Sequence, residues 1–127
     1  MPTLLACLST GKGTWSEISK LLSNSNWDRV FLITNSFGLE NFTKPPNTTF
    51  VLINPQAPTQ EITAQIKKQL HGQIKDFEVA LNFVSGSGKE HMALLEAVLE
   101  LGLNFRLTEW DKDRVITLGL DRHDIVP

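Results

Sequence analysis

The chain has 127 residues, 41% of them hydrophobic, and a formal net charge of −2. That length suits one domain, which can bury roughly two-thirds of the surface its unfolded chain exposes, and the composition is that of an ordinary soluble globular protein. A slightly negative chain has no general attraction for duplex nucleic acid or for an anionic membrane surface, so any anion site must be local.

No signal-peptide pattern opens the sequence, and no apolar run approaches the ~20 residues that span a bilayer. A single cysteine, Cys7, excludes an internal disulfide and fits a reducing compartment. The expected location is the cytoplasm.

In chain order, Leu4–Leu8 is the first short apolar run, and Cys7 fills the core within it. Ser9-Thr10-Gly11-Lys12-Gly13-Thr14 follows as a small, polar, glycine-rich loop. Thr14-Trp15-Ser16-Glu17 has the spacing of a capping box, and Ile18, Leu21 and Leu22 then share one helical face. Val30–Ile33 reads as a second strand, with Asn35 just beyond it. The stretch 36–49, with Gly38 and Pro45-Pro46, reads as a loop holding one helical turn. Phe50–Ile53 is the third strand, with Asn54 at its end. Ile62, Ile66 and Leu70 recur every fourth residue, placing Lys67 and Lys68 elsewhere on that helix.

Val79–Val84 is the fourth strand, and it runs into Ser85-Gly86-Ser87-Gly88-Lys89. Met92, Leu95, Val98 and Leu99 form the next helical stripe, stopped by Gly102 as a C-terminal cap. Two further runs, Phe105–Leu107 and Val115–Leu120, are separated only by the segment 108–114, centred on Asp111-Lys112-Asp113. That gap is too short for a parallel crossover and implies an antiparallel hairpin.

Nearly continuous apolar runs suit strands buried on both faces. Alternation of such strands with helices predicts an α/β fold. The expected form is a Rossmann-like three-layer sandwich, with a mostly parallel sheet and an antiparallel C-terminal hairpin. The first and fourth strands should be adjacent and parallel. In such sheets ligands gather beyond the carboxyl ends of the strands, where strand order reverses. The two glycine-rich loops are the candidates for that place. Their chemistry suits a phosphodiester: glycines admit a close backbone approach, helix N-termini present amides, hydroxyls add donors and lysine adds charge.

Two familiar motifs fail. A P-loop needs GxxxxGK followed by Ser or Thr, but Phe83 stands at the first glycine position and Glu90 follows Lys89. A magnesium-dependent NTPase is therefore disfavoured. The dinucleotide pattern GxGxxG fails because Gly11-Lys12-Gly13 meets Ser16 at its third glycine, and no acidic residue ends the second strand to hold a ribose.

The segment 81–93, LNFVSGSGKEHMA, has a polar residue at a strand end, a glycine-rich turn with a lysine, and an apolar helix. With the order of elements over nearly the whole chain, it resembles the CARF domain, the CRISPR-associated Rossmann-like sensor of cyclic oligoadenylates. Leu99-Glu100-Leu101-Gly102 and the Phe105–Leu107 strand also fit that family. The turn reads SGSGK where the family carries a TGGTK-like sequence, and the expectation is a stand-alone domain without the effector domain such proteins usually carry.

The resemblance implies a homodimer placing two pairs of loops around one symmetric cyclic oligoadenylate, with Thr10, Gly11, Lys12, Gly13, Asn35, Asn54, Ser85, Gly86, Ser87, Gly88 and Lys89 as ligand contacts. It implies no cofactor and no metal. If the ligand is cleaved, as stand-alone ring nucleases of this family do, a 2′-hydroxyl attacks the neighbouring phosphodiester in line. Lys89 and Ser9 would then supply orientation and charge.

Each of these residues has a plainer reading. Ser85 and Ser87 are turn formers, glycines at 86 and 88 are expected at positive φ, and Asn35 and Asn54 are ordinary strand-end turn residues. Lys89 reads alternatively as a solvated first-turn lysine that buries almost nothing. Trp15 packs rather than stacks on a base, and His91 is a satisfied surface or interface histidine. His71 and His123 have no second ligand at zinc spacing. Three functions stay open: cleavage of cyclic oligoadenylate, its binding as a sensor or sink, and a protein-interaction module with no nucleotide.

Overall fold

The expected alternation folds into helices on both faces of one sheet. The computed structural model describes residues 2–8 and 12–119. In chain order the elements are β1 (Leu4–Cys7), a single 3-10 turn (Lys12–Thr14), α1 (Trp15–Ser23), β2 (Val30–Thr34), α2 (Ser36–Asn41) and β3 (Thr48–Leu52). They continue with α3 (Thr59–Leu70), β4 (Glu78–Asn82), α4 (Gly88–Glu100), β5 (Asn104–Asp111) and β6 (Arg114–Thr117). The six strands lie in the order β3-β2-β1-β4-β5-β6. All neighbours are parallel except β5 and β6.

Alternation along the strands divides the core in two. Leu5, Cys7, Phe31, Ile33 and Leu81 face Ile62, Ile66 and Leu70 of α3 and the buried residues of α4. Leu4, Ala6, Val30, Leu32 and Ala80 face Ile18, Leu21 and Leu22 of α1, with Trp27 and Phe42 completing that layer. The result is the Rossmann-like three-layer arrangement. β1 and β2 are buried throughout, as central parallel strands require. β3 is not: it is an edge strand, and Thr49 and Leu52 are exposed.

Four local expectations change. The α4 stripe is displaced: Ala93, Leu94, Ala97 and Val98 are buried, whereas Met92 and Leu99 are 60% and 55% exposed. Val98 is buried as expected and Leu95 packs partly buried against the core, but the small Ala93 and Ala97 let α4 lie close to it, and Met92 and Leu99 are turned outward. The stretch 36–49 holds a six-residue helix and the start of β3.

The third change is in the hairpin, whose strands extend into the gap. Asp111 pairs with Arg114, so the loop is only Lys112-Asp113, with Lys112 at φ 60°. A two-residue connection with a left-handed first position matches the twist of the flanking strands. Finally, Thr14 makes no side-chain cap bond. Its backbone is already helical (φ −103°, ψ 0°) because the 3-10 turn runs directly into α1, and a capping side chain needs an extended backbone.

Gly102 does end α4, at φ 74°. The Leu103 amide bonds to the Val98 carbonyl and the Gly102 amide to that of Leu99, the paired bonds of a Schellman cap. No helix among the described residues is long and apolar enough to cross a membrane.

Candidate functional site

β1 and β4 are neighbours, with Leu4 opposite Ala80 and Ala6 opposite Asn82. From β1 the chain winds one way through β2 and β3, then crosses to the other side through β4, β5 and β6. The reversal of strand order therefore lies between β1 and β4, and the segments after both strands leave the same sheet edge. Ser9, Thr10, Gly11 and the side chain of Lys12 lie outside the described residues. Gly13 needs no glycine for space, since a Cβ there would meet nothing within 4 Å. Thr14 Oγ1 is buried without a hydrogen-bond partner among the described residues.

The turn after β4 is fully placed. Asn82 is buried, and its Nδ2 donates to the Thr108 carbonyl at 2.7 Å while its Oδ1 accepts from the Val84 amide at 3.1 Å. One side chain thus ties the end of β4 to β5 and starts the turn. Ser85 is 1% exposed, and its carbonyl accepts from His91 Nε2 at 2.7 Å. A carbonyl only accepts, so the His91 proton is on Nε2. The His91 ring stacks on Phe83 at 4.8 Å between centroids, so this histidine is satisfied.

Gly86 has φ +99°, and a Cβ there would lie 3.0 Å from Cys7 Cβ and 3.0 Å from Glu90 Oε1. The turn is therefore pressed against the end of β1. Gly88 is different: it is not at positive φ, and a Cβ would meet nothing within 4 Å. It opens α4 in helical conformation, which any residue adopts.

Ser87 caps α4 in a complete capping box with Glu90. Ser87 Oγ accepts the Glu90 amide at 3.3 Å, and Glu90 Oε1 accepts the Ser87 amide at 3.4 Å. A carboxylate of the chain itself thus stands at the positive end of the α4 dipole. Lys89 turns away from the turn: its Nζ donates to the Ala57 carbonyl at 2.8 Å, just before α3, and the residue is partly buried. It is not the solvated lysine of the plainer reading.

Asn35 caps α2, its Oδ1 accepting the Gly38 amide at 3.0 Å. Asn54 Oδ1 accepts the Gln56 amide at 3.0 Å. Both side chains thus hold turns at the ends of β2 and β3. Trp15 packs on Phe37 and edge-on to Phe42, at 5.9 and 5.5 Å between centroids. Burial pushes the Cys7 thiol far above its ordinary value, and the nearby Glu90 carboxylate acts in the same direction. A thiol held neutral in this way is no nucleophile. Among the described residues no three His, Cys, Asp or Glu side chains gather as a metal site.

Two of the hollows among the described residues bear on this scaffold. One of about 490 Å³ lies between α3 and α4, lined by Gln60, Thr63, Lys67, Glu96 and Glu100 among others. There Lys67 Nζ reaches Glu100 at 2.8 Å, and the Glu96 carboxyl is raised above its ordinary value by its hydrogen bond to Glu100. The other, of about 330 Å³, opens at the carboxyl edge beside β4 and β5.

The Ser87–Glu90 box was legible in the sequence: it has the same Ser/Thr-x-x-Glu spacing as Thr14–Glu17. The roles of Asn82 and the edge hollow were not, because both depend on where β5 runs. No family model and no curated protein matches the chain.

Proposed function

We propose that this chain is a CARF-like domain that binds cyclic oligoadenylate at the carboxyl edge of β1 and β4. The observation that carries the reading is the strand order. It sets the carboxyl ends of β1 and β4, each followed in sequence by a glycine-rich segment, side by side at the point of reversal, the usual ligand position in such sheets. The likeness of residues 81–93 to the CARF turn supplies the ligand class. Lys89, at the start of α4, is the cation that would be drawn from the Ala57 carbonyl to a phosphate, and Lys12 of the other glycine-rich segment is the second candidate cation. Cleavage, if it occurs, is the in-line attack of a 2′-hydroxyl on its own phosphodiester. A 2′,3′-cyclic phosphate and a 5′-hydroxyl result, and Lys89 and Ser9 act on the developing charge.

Calorimetric titration with cyclic tetra- and hexa-adenylate tests the reading, with products followed in parallel. Binding by the wild type is expected, and Lys89→Ala should weaken it by about 1.5–3 kcal/mol, the range of a hydrogen bond to a charged group. The loss should shrink at high salt because the contact is ionic. Cleavage, if present, should fall further than binding. The same variant loses its bond to Ala57, so a modest drop in stability of about 1 kcal/mol accompanies it. No binding of either ring would overturn the proposal.

One observation favours a second reading, an interaction module with no nucleotide. Glu90 closes the turn from within, and Lys89 is held by a carbonyl, so the segment is satisfied by its own groups. Under that reading neither ring binds and the glycines matter only for folding.

A symmetric ligand invites a two-fold protein. Met92 and Leu99, seven residues apart and on one face of α4, are both exposed and offer the apolar surface for it. Sedimentation should give a homodimer at micromolar concentration, weakened by Met92→Glu. A monomer with and without ligand would count against the CARF reading.

A further inference from the structure

The β5–β6 hairpin runs on beyond the end of its neighbour. β4 stops at Asn82, level with Thr108, whereas β5 continues to Asp111. The notch this leaves is the hollow of about 330 Å³, a volume at the small end of ligand sites.

Its lining has a definite chemistry. Val84, Leu107 and Leu118 are exposed apolar side chains that come together here, and Trp110 adds an aromatic plane. Glu17 from α1 and Glu109 from β5 supply two carboxylates, and among the described residues that line it there is no lysine or arginine. Neither carboxylate has a hydrogen bond or ion pair among the described residues.

The strand edge adds main-chain groups. The Leu118 amide donates to the Leu107 carbonyl at 2.8 Å, so Leu107 and, two residues on, Glu109 face β6. Thr108 and Trp110 face the other way. The Thr108 carbonyl takes the Asn82 side chain. Trp110 lies past the end of β4, so its N–H and C=O open onto the notch.

Such a lining repels phosphate and accepts a flat apolar ring that donates hydrogen bonds. We propose that the notch holds a purine base carrying an amino group, its ring against Trp110 and the three aliphatic side chains, one amino hydrogen donated to a carboxylate and the other to the Trp110 carbonyl. This rests on the reading that a nucleotide is held at this sheet edge. Val84 leads directly into the 85–89 turn, so base and phosphate positions are contiguous along the chain.

The test is calorimetric titration with adenosine, inosine and cyclic tetra-adenylate of three proteins: wild type, Trp110→Leu, and the double variant Glu17→Gln, Glu109→Gln. The carboxylates are exposed, so the double variant keeps its fold. Adenosine should bind wild type at least tenfold more tightly than inosine, whose 6-oxo group replaces the amino donor. The double variant should lose that preference, and Trp110→Leu should weaken both adenosine and the cyclic ligand roughly tenfold, the scale of base stacking on an aromatic side chain.

Cyclic tetra-adenylate binding that neither variant alters would overturn the base pocket and leave the proposed function standing. Amino-selective, Trp110-dependent adenosine binding without affinity for the cyclic ligand would support the pocket and overturn the proposed function. Failure of wild type to bind adenosine or the cyclic ligand at millimolar concentration overturns both.

Discussion

Gly86→Ala should lower stability by about 2–4 kcal/mol. Two costs combine. A side chain at φ +99° sits where L-residues are strained, at about 1–2 kcal/mol. The new methyl also stands 3.0 Å from Cys7 Cβ, a rigid neighbour on a buried central strand, and overpacking costs about 1–3 kcal/mol. Glu90 Oε1, equally close, can swing aside, but doing so opens the capping box. For a chain of this length the melting temperature should fall by roughly 10 °C. Gly88→Ala is the internal control. It meets nothing and keeps a helical backbone, so it should be neutral or stabilising by up to about 1 kcal/mol. Thermal melts of the two variants decide the matter: equal effects would mean that the turn is not pressed on β1.

The second large effect is expected at Asn82. Asn82→Ala should cost about 2–4 kcal/mol, because it removes two hydrogen bonds from a buried place and leaves the Thr108 carbonyl and the Val84 amide without their partner, at about 1–3 kcal/mol for each orphaned group. The damage should be directional. Asn82 holds β5 at the point where β4 ends, so hydrogen exchange should rise first in β5 and β6 and in the 85–89 turn, while β1–β3 stay protected. Uniform loss of protection across the sheet would show that Asn82 does not pin the hairpin. A change of less than about 0.5 kcal/mol in chemical denaturation would show that water replaces both bonds.

These two positions bear on the site in different ways. Gly86 sets how closely the β4 turn approaches the end of β1, and Asn82 sets where the notch beside β5 begins. Neither needs to touch a ligand to alter binding. Variants here should therefore be compared with Lys89→Ala at matched folded fractions, so that lost affinity is not mistaken for lost fold.

Much of this protein was legible from its amino acids alone. Local patterns depend on neighbours in sequence, and they survived folding. The continuous runs at Leu4–Leu8 and Val30–Ile33 became central strands because only residues apolar on both faces tolerate burial on both. Ile62, Ile66 and Leu70 reached the core because a period near 3.6 places them on one face. Gly102 ended α4 and the short gap before Val115 enforced a hairpin, both for reasons of backbone geometry. The central position of β1 and β4 followed from the handedness and length of their connections.

Tertiary structure decided what periodicity leaves open. Whether Met92 or Ala93 faces inward depends on what α4 lies against, and the close approach of the sheet and α3 selected the alanines. Which of two equally spaced Ser/Thr-x-x-Glu sequences caps its helix depended on the backbone before it: extended at Ser87, already helical at Thr14. Lys89 went to Ala57, a residue 32 positions away that no local pattern connects with it. The notch beside Trp110 exists only because two paired strands end at different levels, a relation between segments more than 20 residues apart that is set by register and not by composition.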